Sequence, residues 1–200
     1  MPHHRTTFVA MDPVATMERV AEESRRVVHG VTPDQLDNPT LCTEWTVRDI
    51  INHITGGAMY FARVTEQESV SEEEMIKLLG GGDNLGDDYK AAFDSAVDRF
   101  LADVRRPGAL EKTVKLPFGE VPAAVALDIG IFDVSTHSCD IADATGQQIQ
   151  DMELLETALE VGRQIIQPEM RGAGPFGPER PCPESAAANK RILAFAGRDV

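Results

Sequence analysis

The chain has 200 residues, of which 42% are hydrophobic and 26% are charged, a balance typical of a globular protein with one sizeable core. Its 19 basic and 33 acidic side chains give a net charge of −14. Such a charge repels a phosphate backbone or an anionic lipid surface, so nucleic acid and membrane are excluded as favoured partners. With neither a spanning apolar run nor the apolar core of a signal peptide, the sequence predicts a cytoplasmic protein.

The first half of the chain predicts two amphipathic helices joined by a polar loop. Residues 12–31 carry apolar side chains at three- and four-residue spacings, with Asp12 as the N-cap and a proline at the first helical position. In the second helix, Thr46 is followed three positions later by Asp49, the pattern of a capping box. The apolar stripe that follows predicts the buried face of this helix. Its members are Val47, Ile50, Ile51, Ile54, Ala58 and Phe61.

The middle of the chain combines an acidic connection, a third helix and a short extended segment. Residues 66–86 are acidic and end in a glycine-rich stretch, and they predict a connection with a short helix over 72–79. Residues 87–104 predict the third long helix, which a Pro-Gly pair ends. The alternating pattern over 113–120 predicts a small hairpin or an extended arm.

Helical patterns return in the last third of the chain. A fourth long helix is predicted over 122–145, a fifth over 152–166 and a last short one over 185–196. The prediction is an all-α fold in which a four-helix bundle spans about 12–146. A C-terminal helical extension covers about 151–200, and all 200 residues form a single domain.

The cysteines are three in number and widely spaced, without a C-x-x-C pair, so the sequence predicts reduced thiols and neither a disulfide framework nor a cysteine-rich zinc site. Cys139 lies two residues beyond His137 on a helix and therefore on nearly the opposite face, which predicts a core residue. Cys42 is predicted to be a buried loop residue, and Trp45 to pack the start of the second helix into the bundle.

Three side chains form a candidate metal site. Asp133 and His137 are four residues apart and project from one helix face, as metal-ligand pairs in helical bundles do. His53 supplies a third ligand if the second and fourth helices face each other, leaving a coordination position for water or substrate. Gly57 and Gly130 would leave open space beside these ligands, although close helix packing explains them equally well. Spacing alone also allows an ordinary packed histidine and a chance D-x-x-x-H pattern.

At these residues the chain resembles the DinB-like superfamily, and within it the group related to mycothiol-dependent maleylpyruvate isomerase. The segment PTLCTEWTVRDIINHITGG is similar to the stretch of that group that carries a helix-two histidine. The segment DVSTHSCDIADATGQ is similar to its acidic-x-x-x-His stretch, and NKRILAFAGRD resembles the closing motif of its short members.

The resemblance implies a DinB-like four-helix bundle that binds a divalent metal, zinc or nickel, through His53, Asp133 and His137. It also implies mycothiol or another low-molecular-weight thiol as cofactor, a small-molecule substrate, and a homodimer, which is ordinary for the superfamily. The chain departs from the family in carrying Asp133 where glutamate is usual and Ser138-Cys139 where Gly-Trp is usual. The isomerase resembles a two-domain protein with an additional C-terminal α/β domain. In this chain only about 50 residues follow the fourth helix.

The expected function is a metal-dependent, thiol-dependent transferase or isomerase that acts on a small electrophile. Two alternatives stay open on the sequence: a non-catalytic module that binds a metal or small ligand, and a hydrolase in which the metal activates water. Asp140, one turn beyond His137, either orients that ligand or is a helix-face or capping carboxylate.

Overall fold

The computed structural model describes residues 12–66, 70–172 and 176–200. The prediction for the N-terminal segment up to residue 11 lies outside the described residues. The helices and strands, in chain order, are α1 (Pro13–Gly30), α2 (Val47–Thr65), α3 (Glu72–Ile76), α4 (Tyr89–Val104), β1 (Thr113–Leu116), β2 (Gly119–Pro122), α5 (Ala123–Thr145), α6 (Met152–Ile165) and α7 (Ala188–Phe195).

The predicted starts of the first two helices are confirmed by their capping contacts. The Asp12 side chain accepts a hydrogen bond from the Val14 amide at 3.0 Å, which satisfies a free donor of the first turn. At α2, the Thr46 amide donates to the Asp49 carboxylate at 2.9 Å and the Asp49 amide donates to the Thr46 hydroxyl at 3.3 Å. These reciprocal bonds form the predicted capping box and set the position of His53 two turns into the helix.

Several element boundaries differ from prediction by one to three residues. α5 begins at Ala123, because Pro122 still pairs with Thr113 in the hairpin and serves as the N-cap. The short helix after residue 71 ends at Ile76 and continues as a wider turn over Lys77–Gly81, in which Gly80 leaves the helical conformation. The last helix begins at Ala188, three residues later than predicted.

The bundle is built from α1, α2, α4 and α5, with α2 packed along α4 and α1 along α5. Its centre contains fully buried apolar side chains, each of which stabilises the fold by roughly 1.5–3 kcal/mol. They include Ile50, Ile51, Phe93, Leu127 and Phe132. α6 packs on α5, and α7 packs on α6 and α5. The predicted all-α architecture, with a hairpin before the fourth bundle helix and added C-terminal helices, is confirmed.

Within the described residues, no helix combines the length and the apolar character that crossing a bilayer requires.

Candidate metal site

The fold brings the three predicted ligands together where α2 packs against α5. His53 lies on α2, and Asp133 and His137 lie on successive turns of α5. The Nε2 atom of His53 is 3.3 Å from Oδ2 of Asp133, and Nε2 of His137 is 3.6 Å from Oδ1 of the same carboxylate. The two imidazole rings are 5.3 Å apart between centroids. Both histidines therefore point the same ring nitrogen at one carboxylate.

These distances fit a shared divalent ion. Bonds of ~2.0–2.2 Å from zinc to nitrogen or oxygen place the ligand atoms of a tetrahedral site about 3.3–3.5 Å apart. The three ligand atoms lie within 4.8 Å of one another. Two imidazoles and one carboxylate suit zinc or nickel and leave a position for water or substrate. The Asp133 side chain is 30% exposed and that of His53 21%, so a small molecule can reach the site.

A backbone carbonyl orients His53. Nδ1 of His53 lies 2.9 Å from the carbonyl oxygen of Leu79, in the wide turn that follows α3. When His53 is neutral and Nδ1–H donates to this carbonyl, Nε2 has a lone pair on the side facing Asp133 that a metal ion can use. The early end of α3 therefore has a consequence for the site, because it places an acceptor behind the ring.

A buried ion pair orients His137. Nδ1 of His137 lies 3.0 Å from Oδ2 of Asp140, and the Asp140 side chain is wholly buried. Arg198, near the C-terminus, donates to both oxygens of Asp140, at 2.9 Å from Nη2 and 3.3 Å from Nε. Asp140 therefore takes the orienting position, and its alternative interpretation as a helix-face or capping carboxylate is wrong. Arg198 lies in the segment NKRILAFAGRD, but no role was predicted for it from the sequence.

Trp45 and Cys42 lie closer to the site than predicted. The Trp45 ring stacks on His137 at 5.5 Å and packs at a tilt against His53 at 4.8 Å, so it borders both proposed ligands as well as the helix start. Cys42 is only half-buried, and the prediction that it is simply a buried loop residue is incomplete. Its thiol belongs to a second group of ligand-type residues, with His137 and Asp140.

The group of Cys42, His137 and Asp140 does not fit a metal ion. Nδ1 of His137 already contacts Asp140, and the carboxylate of Asp140 is already paired with the positive charge of Arg198. Burial raises the pKa of the Cys42 thiol, and Arg198 opposes that rise only in part. A protonated thiol beside a resident cation is a poor metal ligand. Cys139 is 2% exposed, as predicted for a core residue.

The charges around Asp133 favour an ion pair when no metal is bound. Burial alone would raise the pKa of Asp133, but His137, His53 and Arg198 together lower it to about 2. Burial likewise opposes the charged form of His53, but the hydrogen bond and charge of Asp133, helped by the Leu79 carbonyl, raise the pKa of His53. A metal ion therefore competes with a proton for His53, and the competition grows stronger as the pH falls.

An apolar cavity of about 240 Å³ opens beside His53 and Asp133. Gly57 and Gly130 both line it, as expected for residues that leave space beside the ligands. A Cβ atom on Gly57 would meet nothing within 4 Å, and one on Gly130 would meet only the end of the Met17 side chain, at 3.0 Å. Of the two interpretations of these glycines, the open pocket is correct for Gly57.

A second, polar pocket also borders His53. It is lined by Glu44, Trp45, Asp49, Asn52, His53 and Gly80. His53 therefore lines both a polar pocket and an apolar one.

Comparison with known proteins gives a consistent result. Residues 17–142 match the family model described as the mycothiol maleylpyruvate isomerase N-terminal domain. Two uncharacterised proteins of Mycobacterium tuberculosis, from strains H37Rv and CDC 1551, are each 36% identical to the chain over 192 residues, covering 95% of this chain and all of the relative.

Two solved structures share the fold. Both are crystal structures of the mycothiol-dependent maleylpyruvate isomerase, one of them of a histidine-to-alanine mutant. Each has a TM-score of 0.62 and 19% sequence identity, and the match covers 74% of this chain. The match spans only 65% of the isomerase chain, and at this identity it shows the fold alone.

Proposed function

The chain belongs to the mycothiol maleylpyruvate isomerase N-terminal domain family, and from that premise we propose that it is a metal-dependent enzyme that uses a low-molecular-weight thiol to act on a small electrophile. The observation that carries the proposal is the convergence of two histidine Nε2 atoms on the Asp133 carboxylate beside an open cavity. His53, Asp133 and His137 are the proposed ligands, zinc or nickel the proposed metal, and mycothiol or a similar thiol the proposed cofactor.

The chemistry needs a thiolate held next to an electrophilic carbon. A bound divalent cation supplies a Lewis acid that lowers the pKa of a thiol at its open position. The protein provides orientation, because the Leu79 carbonyl and Asp140 fix the two imidazole rings from behind. The apolar wall beside Asp133 leaves space for the body of a small substrate. Addition of the thiolate to an activated double bond, rotation about the resulting single bond and loss of the thiolate give isomerisation, and addition of the thiol alone gives conjugation.

Metal content tests the proposed ligands. The protein is purified without nickel resin, and its metals are measured alongside those of the His53→Ala and His137→Ala variants. His29→Ala is the matched control, because His29 also pairs with a carboxylate, that of Asp94, but outside the site. We expect about one metal ion per chain in the wild type and in the control, and none in the two ligand variants. Full metal occupancy in either ligand variant would remove that residue from the ligand set.

Thiol binding separates the enzyme proposal from its alternatives. Replacement of the metal by cobalt gives an absorption spectrum that changes when sulfur enters the coordination shell. We expect thiols to change this spectrum in the wild-type protein. A cobalt spectrum that does not change when thiols are added would favour the non-catalytic module or the water-activating hydrolase.

A further inference from the structure

The cavity beside the proposed metal site has a wall almost without charge. Residues from α1, α2, α4, α5 and the hairpin contribute to it, and most of its side chains are aromatic or aliphatic. Examples are Phe61, Phe93, Phe100, Leu116 and Phe118. Among the described residues that line the cavity there is no lysine or arginine, and the charged groups are His53 and Asp133. Away from the end formed by His53, Asp133 and the proposed metal, the described lining offers no cation to neutralise an anionic ligand.

One buried hydroxyl in this wall lacks a partner. Ser24 on α1 lines the cavity, and its Oγ atom is fully buried without a hydrogen bond to any part of the described chain. Buried hydroxyls without partners are uncommon in folded proteins. The other hydroxyl in the wall, that of Tyr60, is already occupied, since it donates to the Lys115 carbonyl at 2.7 Å. Ser24 is therefore the hydroxyl left over for a ligand.

We infer that the substrate is a small, uncharged, apolar α,β-unsaturated carbonyl compound. This inference rests on the proposed function and specifies its substrate class. The apolar body of the compound fills the cavity, and one neutral polar group accepts a hydrogen bond from Ser24. The volume of about 240 Å³ lies just below the range of ~300–1,000 Å³ that is usual for small-molecule sites, so the ligand is small.

Charge decides against a dicarboxylate ligand in this cavity. The proposed metal could balance one carboxylate at its own end of the cavity. A second ionised carboxylate would lose its hydration against the apolar wall and gain no counter-charge there. A dicarboxylate such as maleylpyruvate, for which the structurally similar isomerase is named, does not suit this cavity.

The reaction that follows is balanced without an oxidant or reductant. The thiol loses its proton, and its sulfur forms a bond to the β-carbon of the unsaturated carbonyl compound. The π electron pair of the double bond moves to the α-carbon, which takes up the proton that the thiol released. The product is a neutral thioether.

Ligand binding to the metal-loaded protein tests this inference without requiring turnover. Benzylacetone is an uncharged, saturated ketone, and hydrocinnamate has a similar body with a carboxylate in place of the ketone. With 2-mercaptoethanol saturating the open metal position, titration calorimetry is expected to give at least about tenfold tighter binding of benzylacetone, because the carboxylate of hydrocinnamate would then be buried in the cavity without a counter-charge. Equal or tighter binding of hydrocinnamate would overturn the inference.

Two variants on one helix locate the ligand. Gly57→Leu adds a side chain into open space of the cavity, whereas Met59→Leu changes a 38% exposed position on the same helix. Benzylacetone affinity should fall at least about tenfold in Gly57→Leu and stay unchanged in Met59→Leu, with the metal content of both verified. Unchanged affinity in Gly57→Leu would place the ligand elsewhere and overturn the inference.

Ser24→Ala tests the hydrogen bond. Benzylacetone should bind roughly three- to tenfold more weakly to this variant, while propylbenzene, which lacks the carbonyl, should bind as it does to the wild type. Equal loss for both compounds, or no loss for benzylacetone, would remove Ser24 from the proposed ligand contacts.

The metal-free protein distinguishes the two proposals. Suppose that the protein binds no metal and that benzylacetone still binds in the cavity more tightly than hydrocinnamate. The substrate-class inference then stands, and the proposed metal-dependent function fails. If the metal binds at the expected residues but the ketone does not enter, the substrate class is wrong and the metal site stands.

Discussion

The two ring nitrogens of His137 face two different regions of the molecule. On its Nε2 side, Asp133 and His53 lie at the edge of a cavity and remain partly exposed. On its Nδ1 side, Asp140 is wholly buried and Arg198 nearly so, and the two are joined by a close ion pair. Both regions contain a carboxylate next to the same imidazole, and only the first one is open.

The difference shows what makes a group of ligand-type residues a candidate metal site. The charge of Asp140 is already balanced by a cation that belongs to the protein, so a metal ion would have to displace Arg198. Asp133 has only the two imidazoles as close partners in the site, and these bind a metal when they are neutral. The open side is therefore the proposed site, and the closed side is the support that holds His137 in position.

The largest expected effect comes from breaking the closed side. Arg198→Met leaves the Asp140 carboxylate buried without a counter-charge, and we expect a loss of ~3–5 kcal/mol in the free energy of unfolding. The measurement is denaturant unfolding, with Arg180→Met as control, since Arg180 pairs with the exposed Asp199. The control should stay within ~0.5 kcal/mol of the wild type. A loss of stability in Arg198→Met as small as that of the control would contradict the assignment of a buried ion pair between Arg198 and Asp140.

The second-largest effect is on zinc affinity, which should respond differently to changes in the carboxylates of Asp133 and Asp140. Asp133→Asn removes a proposed ligand and should weaken zinc binding by more than ~100-fold, whereas Asp140→Asn acts through His137 and should weaken it by ~10–100-fold. Competition with a chelating dye gives both affinities. A greater loss for Asp140→Asn than for Asp133→Asn would reverse the roles assigned to the two sides.

Two adjacent glycines extend the comparison to α2. A Cβ on Gly56 would overlap the Leu78 carbonyl oxygen, whereas one on Gly57 would enter the cavity freely. We expect Gly56→Ala to cost ~1–3 kcal/mol through overpacking and Gly57→Ala to gain up to ~1 kcal/mol from helix propensity. Thermal unfolding of the pair is the measurement, and stabilisation by both alanines would show that the turn after α3 does not pack as described.

The smallest expected effect is on how the stability of the metal-free protein depends on pH. The pKa of His53 is raised above its ordinary value of 6.5, so its contribution to stability is full below that value and is lost as pH rises through the raised pKa. The pKa of Asp133 is lowered from 3.8 to about 2, so its contribution is present above 3.8 and is lost as pH falls toward 2. The pair therefore stabilises the fold most between these limits.

Asp133→Asn should consequently cost ~0.5–1 kcal/mol more at about pH 5 than at about pH 9 in metal-free protein. Urea unfolding of the wild type and the variant at both pH values measures this difference. An equal cost at the two pH values would mean that His53 and Asp133 do not form the described pair.

The features that could be predicted from the sequence are those that depend on local helix geometry. The capping box of Thr46 and Asp49 and the four-residue spacing of Asp133 and His137 depend on helix periodicity, and the family resemblance then pointed to His53 as the third residue. The supporting groups depend on contacts between distant segments. Leu79 reaches His53 across 26 residues and Arg198 reaches Asp140 across 58, and no local pattern encodes either contact.

X-ray absorption at the zinc edge tests the central claim most directly. For zinc-loaded wild-type protein without added thiol, we predict only nitrogen and oxygen ligands at about 2.0–2.2 Å, with imidazole scattering from two histidines. Added thiol should then introduce one sulfur at about 2.3 Å. Sulfur in the coordination shell before any thiol is added would place the metal at Cys42 on the closed side, and would contradict the assignment of His53, Asp133 and His137 as the ligands.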